Sequence, residues 1–229
     1  SIVLAIINDD IDEAELEFAT IQLSSPEGVV FGKCASALIT ISDDDLALAS
    51  VGSAKVGEDA GTASLVVALS NPVSRPVTLT YTTQDGSATA PLDFDAVISE
   101  VTIPAGTQSA MITVDITQDD VDEIDEAFTV TIGVSESSGA PVELAEDGAS
   151  GTVTIQDDDV TAVSVADASV VESGGSVDVT VSLSLVSSRD VVVEYTTEDT
   201  TATGDEDYRK TIGELRIPAG DLSATVSVA

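Results

Sequence analysis

Residues 177–183 read Val-Asp-Val-Thr-Val-Ser-Leu, so apolar side chains alternate with polar ones. A period of two is expected of a β-strand that buries one face and exposes the other to water. The same alternation recurs at Leu65-Val67-Leu69, Val77-Leu79-Tyr81, Ile112-Val114-Ile116, Phe128-Val130-Ile132 and Val153-Ile155. Gly, Asn-Pro, Asp-Gly and Pro-Ala-Gly stand between these segments and are typical of turns. The pattern predicts an all-β chain of antiparallel sandwiches.

The chain is a tandem repeat with a period of 114 residues. Residues 81–85 (Tyr-Thr-Thr-Gln-Asp) return as residues 195–199 (Tyr-Thr-Thr-Glu-Asp), and the Ile-Pro-Ala-Gly of residues 103–106 returns at 217–220. We therefore predict the end of one repeat (residues 1–45, the first segment), a complete middle repeat (residues 46–159) and the start of another (residues 160–229, the last segment). Each complete repeat is expected to hold about seven strands, and each Ile-Pro-Ala-Gly is expected to be a turn with glycine at positive φ.

The charge of the chain restricts its partners. It has 42 acidic residues, 7 basic residues and no histidine, which gives a formal net charge of −35. Binding to nucleic acid or to an anionic membrane surface depends largely on Lys and Arg, so both are disfavoured. Hydrophobic residues make up 43% of the chain, too many for a disordered acidic tail. Packed domains with this excess of carboxylate predict a cation partner or a saline, extracellular medium.

Targeting and redox signals are few. The apolar residues 1–7 match residues 111–117 and are predicted to form a strand rather than a signal peptide. No stretch approaches the roughly 20 apolar residues that span a bilayer. Cys34 is the one cysteine, which excludes a disulfide framework within the chain, and we expect it as a buried or half-buried side chain in a strand.

The carboxylates of the middle repeat are grouped at strand ends and in loops. They are Glu58, Asp59, Asp93, the acids of residues 119–126, and those of residues 157–159. Loops at one end of a sandwich can bring acids together from distant parts of the sequence. Two like charges about 4 Å apart cost on the order of 4 kcal/mol at an effective dielectric near 20, and a divalent cation removes that cost.

The ligand type favours Ca²⁺. Calcium accepts six to eight oxygen ligands in flexible geometry, whereas zinc needs His or Cys and magnesium usually binds with a substrate phosphate. The acids of residues 119–126 lack the central glycine of a helix-loop-helix calcium site. Any calcium site must therefore combine several loops.

A family resemblance supports this interpretation. The sequences are Gly-Glu-Asp-Ala-Gly at 57–61, Tyr-Thr-Thr-Gln-Asp-Gly-Ser-Ala-Thr at 81–89, Asp-Phe at 93–94, Ile-Pro-Ala-Gly at 103–106, the acidic run up to Ala127 and Phe128, and Asp-Asp-Asp at 157–159. Together they resemble the Calx-β repeat, and the resemblance covers the whole chain. Such repeats occur in sodium/calcium exchangers, adhesion receptors, sponge aggregation factors and bacterial surface adhesins. The resemblance implies tandem immunoglobulin-like sandwiches that hold calcium at one tip.

The resemblance also implies a set of calcium ligands. These are Glu58, Asp93, Asp119, Glu123, Glu126, Asp157, Asp158 and Asp159, with Asp120 beside them in the same loop. Gln118 departs from the pattern, because calcium-binding members can carry an acid there. We expect Asp122 and Asp125 to face solvent. The outer segments carry only partial sets, namely Asp9, Asp10, Glu13 and Asp43 to Asp45 in the first, and Glu172 and Asp207 in the last.

Three classes of function compete. The favoured one is an extracellular or cell-surface stalk or adhesion array whose junctions calcium stiffens, with a protein or glycan partner at a surface or matrix. The second is a regulatory calcium sensor attached to a membrane transporter or receptor. The third, a hydrolase with paired carboxylates, is disfavoured because the chain lacks Trp and has only three Tyr and four Phe for sugar stacking. We therefore expect no enzyme activity.

Overall fold

The computed structural model describes residues 2–25, 27–140 and 142–229. Within them the regular structure consists of eighteen β-strands and two single-turn 3₁₀ helices, Glu58–Ala60 and Glu172–Gly174. No α-helix occurs in the described ranges, and none of their helices has the length and hydrophobicity needed to cross a bilayer. The chain is therefore all-β, as predicted.

The eighteen strands are distributed over the three predicted segments. The first segment contains β1 (Leu16–Gln22) and β2 (Ser36–Ser42). The middle repeat contains β3 (Leu48–Val51), β4 (Ala54–Gly57), β5 (Thr62–Leu69), β6 (Val77–Gln84), β7 (Ile98–Ile103), β8 (Ser109–Asp115), β9 (Val121–Asp122), β10 (Glu126–Val134), β11 (Glu143–Leu144) and β12 (Ser150–Gln156). The last segment contains β13 (Val163–Val165), β14 (Val177–Leu183), β15 (Val186–Ser187), β16 (Val191–Thr196), β17 (Ile212–Ile217) and β18 (Ser223–Val228).

The chain forms two compact units. The first comprises Ser1–Val56, Thr62–Ile116 and Ala127–Thr154, and the second comprises Gly57–Gly61, Thr117–Glu126 and Ile155–Ala229. The second unit therefore combines the last segment with three short stretches of the middle repeat, and these stretches carry most of the predicted calcium ligands.

The first unit contains two sheets of the middle repeat. One has the strand order β4-β12-β10-β6-β7 and the other β11-β3-β5-β8. Neighbours such as β6 and β10 pair antiparallel, and the short β11 pairs parallel with β3. Val67 and Val114 of one sheet and Leu79 and Val130 of the other have no solvent exposure. The predicted alternation is thus confirmed, and the fold is the immunoglobulin-like sandwich in tandem copies that the resemblance implies.

The first segment is a β1–β2 hairpin with an exposed apolar face. Phe18 is 63% exposed, whereas Phe128, which follows the same Asp-Asp-x-Asp-Glu sequence, is 1% exposed. Residues 1–45 contain no counterpart of β5 to β7, so nothing in this segment covers Phe18. Residues 2–7 form no strand, which corrects the prediction for the apolar run, since β8 in the middle repeat pairs with β5 and that partner has no counterpart here. Ser1 lies outside the described residues.

Cys34 departs from the prediction. The side chain is exposed and lies outside any strand, in the connection between β1 and β2. Cys34 follows Gly32 and Lys33 in a stretch that is four residues shorter, from Phe18 to Ser36, than the matching stretch from Phe128 to Ser150, so the repeat period could not place it. The Ile-Pro-Ala-Gly turns, in contrast, are as predicted, with φ of 73° at Gly106 and 84° at Gly220.

The second unit contains the β-structure of the last segment. β13, β14 and β18 form one sheet, and β16 pairs with β17. Val181, Leu183 and Ile217 form a buried core. The short β9 of the middle repeat pairs parallel with β15, so that Asp122 lies opposite Ser187.

Candidate metal centre

Glu58 is a buried carboxylate at the end of β4. It opens the 3₁₀ turn Glu58–Ala60, which Gly61 closes with φ of 73°, in the left-handed region that favours glycine. Glu58 is only 7% exposed. Its Oε1 atom accepts the backbone N–H of Asp119 at 2.9 Å. This hydrogen bond ties two of the predicted ligand loops together.

Asp157 and Asp159, which follow β12, complete a cluster with Glu58. One carboxylate oxygen from each of the three residues lies within 4.8 Å of the others. Asp157 Oδ1 and Asp159 Oδ2 are buried atoms, and neither has a hydrogen-bond partner within the part of the chain that the structure describes. Buried polar atoms normally have partners, so each of these oxygens calls for a hydrogen-bond donor or a cation. The all-oxygen set fits a hard cation such as Ca²⁺.

The pKa values reflect the crowding of negative charge. Burial raises the pKa of Glu58 to about 7, the Asp119 N–H opposes this shift, and the carboxylates of Asp119, Asp157 and Asp159 add to it. The pKa of Asp159 is also raised, first by burial and then by the charges of Asp120, Asp158, Asp157 and Asp119. Without a cation, the charged form of this cluster is thus disfavoured.

The other acids of these two loops are more exposed. Asp119 and Asp120 are exposed, and Asp119 Oδ1 accepts the N–H of Val121 at 2.7 Å. Asp158 is exposed between the two half-buried acids 157 and 159. The side chain of Gln118, the departure from the family pattern, donates to the carbonyl of Asp119 at 3.1 Å.

Asp93 lies in the first unit and closes a turn. Its Oδ2 atom accepts the N–H of Thr89 at 2.6 Å, and the adjacent Phe94 is fully buried and stacks on Phe128 at 4.0 Å between ring centroids. Asp207, one period later, accepts the N–H of Thr203 at 2.8 Å in the same way. Both acids thus have a structural role as turn caps, and this role does not use every lone pair of the carboxylate.

The remaining acids of residues 119–126 differ from one another. Glu123 and Glu126 are half-buried, belong to the second unit and interact with other residues of the chain. The prediction that Asp122 faces solvent is wrong, because it is only 9% exposed and pairs with Arg189 at 2.7 Å. Sequence reasoning missed this pair because the partner lies 67 positions away.

The partial sets of the outer segments are crowded or exposed. In the first segment the pKa of Glu13 is raised, mainly by the charge of Glu17, and burial raises the pKa of Asp45 beside Asp43 and Asp44. Asp43 Oδ2 accepts the N–H of Glu13 at 3.1 Å. In the last segment, Glu172 opens a 3₁₀ turn and is exposed.

Known proteins resemble this chain over part of their length. Sodium/calcium exchanger 1 of Bos taurus is 30% identical over 192 residues, which are 75% of this chain and 20% of that protein. FRAS1-related extracellular matrix protein 2 of Homo sapiens is 28% identical over 147 residues, 61% of this chain and 5% of that protein. The chain thus spans a fifth or less of the length of these relatives. A crystal structure of the calcium binding domain CBD12 of CALX1.1 matches with a TM-score of 0.43 and 27% identity, over 78% of this chain and 74% of that one.

The model of one protein family matches nearly the whole sequence. The match to the Calx-beta domain covers residues 1–45, 50–159 and 156–229. These ranges include all the acids described above. The chain belongs to the Calx-beta domain family.

Proposed function

We propose that this chain is a calcium-binding tandem repeat of an extracellular adhesion or stalk protein, in which calcium stiffens the junction that follows the middle repeat. The observation that carries the proposal is the pair of buried, unpartnered oxygens on Asp157 and Asp159 beside the buried Glu58. The repeat boundaries at residues 45 and 159 belong to the same proposal.

The proposed ligands fall into two groups. Glu58, Asp157 and Asp159 are supported by their geometry, and Asp119 and Asp120 by their place in the loop that bonds to Glu58. Asp93, Glu123, Glu126 and Asp158 are proposed as ligands from the family pattern. Bound calcium would supply the positive charge that lets these carboxylates ionise together.

The residues of the chain prepare this site before any ion arrives. The Glu58 carboxylate accepts the backbone N–H of Asp119 and so holds the loop of Asp119. Asp157 to Asp159 occupy the connection between β12 and β13. Without a cation, repulsion between the carboxylates favours loosening of this connection. With it, the connection is held to two other loops. A medium with calcium at about 1,000 times the dissociation constant would stabilise the fold by about 4 kcal/mol.

A regulatory calcium sensor attached to a membrane transporter is the second candidate. It is supported by the match to sodium/calcium exchanger 1, whereas the match to an extracellular matrix protein supports the stalk. The tandem organisation and the net charge of −35 favour the stalk, because a saline medium screens such charge. Both candidates give the carboxylates a metal-binding role and neither requires catalysis.

Titration calorimetry of the whole chain with calcium tests the proposal. We expect saturable binding that weakens at least tenfold in the double variant Asp157→Asn and Asp159→Asn. The exposed Asp167→Asn serves as the control and should bind like the original chain. Equal binding by the double variant would exclude the proposed site.

Scattering from the same chain separates the two candidates. A stalk should keep one set of dimensions across the micromolar range and be extended at millimolar calcium. A sensor should change its dimensions near micromolar calcium. Transitions at micromolar calcium would therefore favour the second candidate.

A further inference from the structure

Asp122 binds residues of the last segment on several sides. Its Oδ2 atom accepts the N–H of Thr161 at 2.9 Å and its Oδ1 atom accepts Arg189 Nη2 at 2.7 Å. Its carbonyl accepts the N–H of Ser188 at 3.0 Å. Asp122 therefore joins the middle repeat to the start of the next one.

Asp12 does the same between the first segment and the middle repeat. It is 2% exposed, and its Oδ2 atom accepts the N–H of Ala47 at 2.8 Å. Its N–H donates to the carbonyl of Pro72, and its carbonyl accepts the N–H of Ser74, both at 3.0 Å. A parallel bridge pairs Asp12 with Val73.

The two arrangements use corresponding residues. Ala47 and Thr161 are one period apart, as are Ser74 and Ser188. The aspartates are 110 positions apart because the stretch from Phe18 to Ser36 is four residues shorter than the matching stretch from Phe128 to Ser150, and both aspartates end an Asp-Asp-x-Asp sequence. The same device thus occurs twice, once within each compact unit.

We propose that Asp12 and Asp122 are aspartate latches, each of which fastens one repeat to the next through backbone N–H groups of the following repeat and works without a metal ion. A buried carboxylate is tolerated when donors satisfy it, and here a peptide N–H of the following repeat donates to the Oδ2 atom of each aspartate. Asp157 and Asp159 differ, because each retains a buried oxygen without a partner. The latch is therefore separate from the proposed calcium site, although it lies in the same loop as Asp119 and Asp120.

The ion pair with Arg189 is an addition to the latch and not its basis. Arg75 corresponds to Arg189 in the middle repeat, and its guanidinium contacts the carbonyl of Gly139 at 3.4 Å. The first latch is thus formed through peptide donors. The Arg189 side chain is 56% exposed, so its ion pair adds little.

Amide hydrogen exchange of the whole chain in a chelator tests this proposal. We expect Asp122→Ala to speed exchange of the Thr161 amide about tenfold or more, because that N–H loses its buried acceptor. Asp12→Ala should do the same to the Ala47 amide. Each variant is the matched control for the other, since Asp122→Ala should leave Ala47 unchanged and Asp12→Ala should leave Thr161 unchanged. Amides of β5 and β10 report whether the sandwich remains folded.

Conservative variants refine the test. Asp122→Asn keeps an oxygen acceptor and should retain most of the protection of Thr161, and Arg189→Ala should also retain it. The proposal is overturned if the Thr161 amide of the original chain is unprotected in chelator, or if Asp122→Ala changes it only when calcium is present. Because the experiment contains no metal, its result is independent of whether the chain binds calcium.

Discussion

The Glu58 carboxylate accepts a hydrogen bond from the backbone N–H of Asp119 across 61 positions of sequence. This contact places a buried acid beside the loop that carries Asp119 and Asp120, close to the carboxylates of Asp157 and Asp159. The negative charges are therefore brought together by the fold before any cation binds. The stability of the metal-free protein should depend on how that charge is removed.

Replacing Glu58 by Gln removes the charge and keeps the oxygen that accepts the Asp119 N–H. We expect the metal-free variant to be about 1–3 kcal/mol more stable than the original chain near neutral pH. The reason is that the pKa of Glu58 in the original chain, about 7, is far above the ordinary value of 4.5. The same variant should lose most of the stabilisation by calcium. Chemical denaturation with and without calcium measures both effects. A less stable metal-free variant that still responds fully to calcium would contradict the site.

The stability of the metal-free protein should fall as the pH rises from about 5 to about 8. The folded pKa of Glu58 is raised above the unfolded value, so its protonated form favours the fold and this contribution is lost as the pH passes through about 7. Melting temperatures in a chelator measure the slope. Glu58→Gln should flatten it, and an unchanged slope would assign the effect to other groups.

The stacked pair of Phe94 and Phe128 should contribute strongly to the stability of the first unit. Phe94 is fully buried, so Phe94→Ala should cost about 3–5 kcal/mol. Leu92, two residues earlier, is 68% exposed, and Leu92→Ala should change the stability by less than about 0.5 kcal/mol. Urea denaturation measures both. Similar losses in the two variants would show that the ring stack is not a core contact.

Tyr208 should control the ionisation of Asp199 in the last segment. The Tyr208 hydroxyl donates to Asp199 Oδ1 at 2.5 Å and, with Lys210 and the Gly204 N–H, lowers the pKa of Asp199 to about 2. Because the pKa of Asp199 is lower in the folded than in the unfolded chain, ionised Asp199 stabilises the fold at pH values above the unfolded pKa of 3.8. This stabilisation is lost as the pH falls towards 2.

The variant Tyr208→Phe should therefore raise the pKa of Asp199. Carboxyl carbon shifts in an NMR titration measure the change. Tyr195→Phe, on strand β16, is the control and should leave the Asp199 titration unaltered. An unchanged titration of Asp199 in Tyr208→Phe would show that Lys210 and the Gly204 N–H are enough to lower its pKa without the tyrosine hydroxyl.

The strands that bury one face could be predicted from sequence, because the alternation at Leu65, Val130 or Val181 records that burial directly. The grouping of Glu58 with Asp157 and Asp159 could be expected only through the family pattern. Alternation says nothing about which loops meet. An acid in an Asp-rich loop is expected to face solvent, and Asp122 departs from that expectation because its donors Thr161 and Arg189 lie 39 and 67 positions away.

The aspartate latches are asymmetric, because the two sides of each latch come from different parts of a repeat. The middle repeat offers peptide donors at Ala47 and Ser74 to the sequence before it and an aspartate to the sequence after it. The middle repeat thus carries both the donor side and the aspartate side of the latch. Duplication of such a segment would lengthen the protein without any new complementary surface having to evolve, because every added copy arrives with both halves of its own coupling.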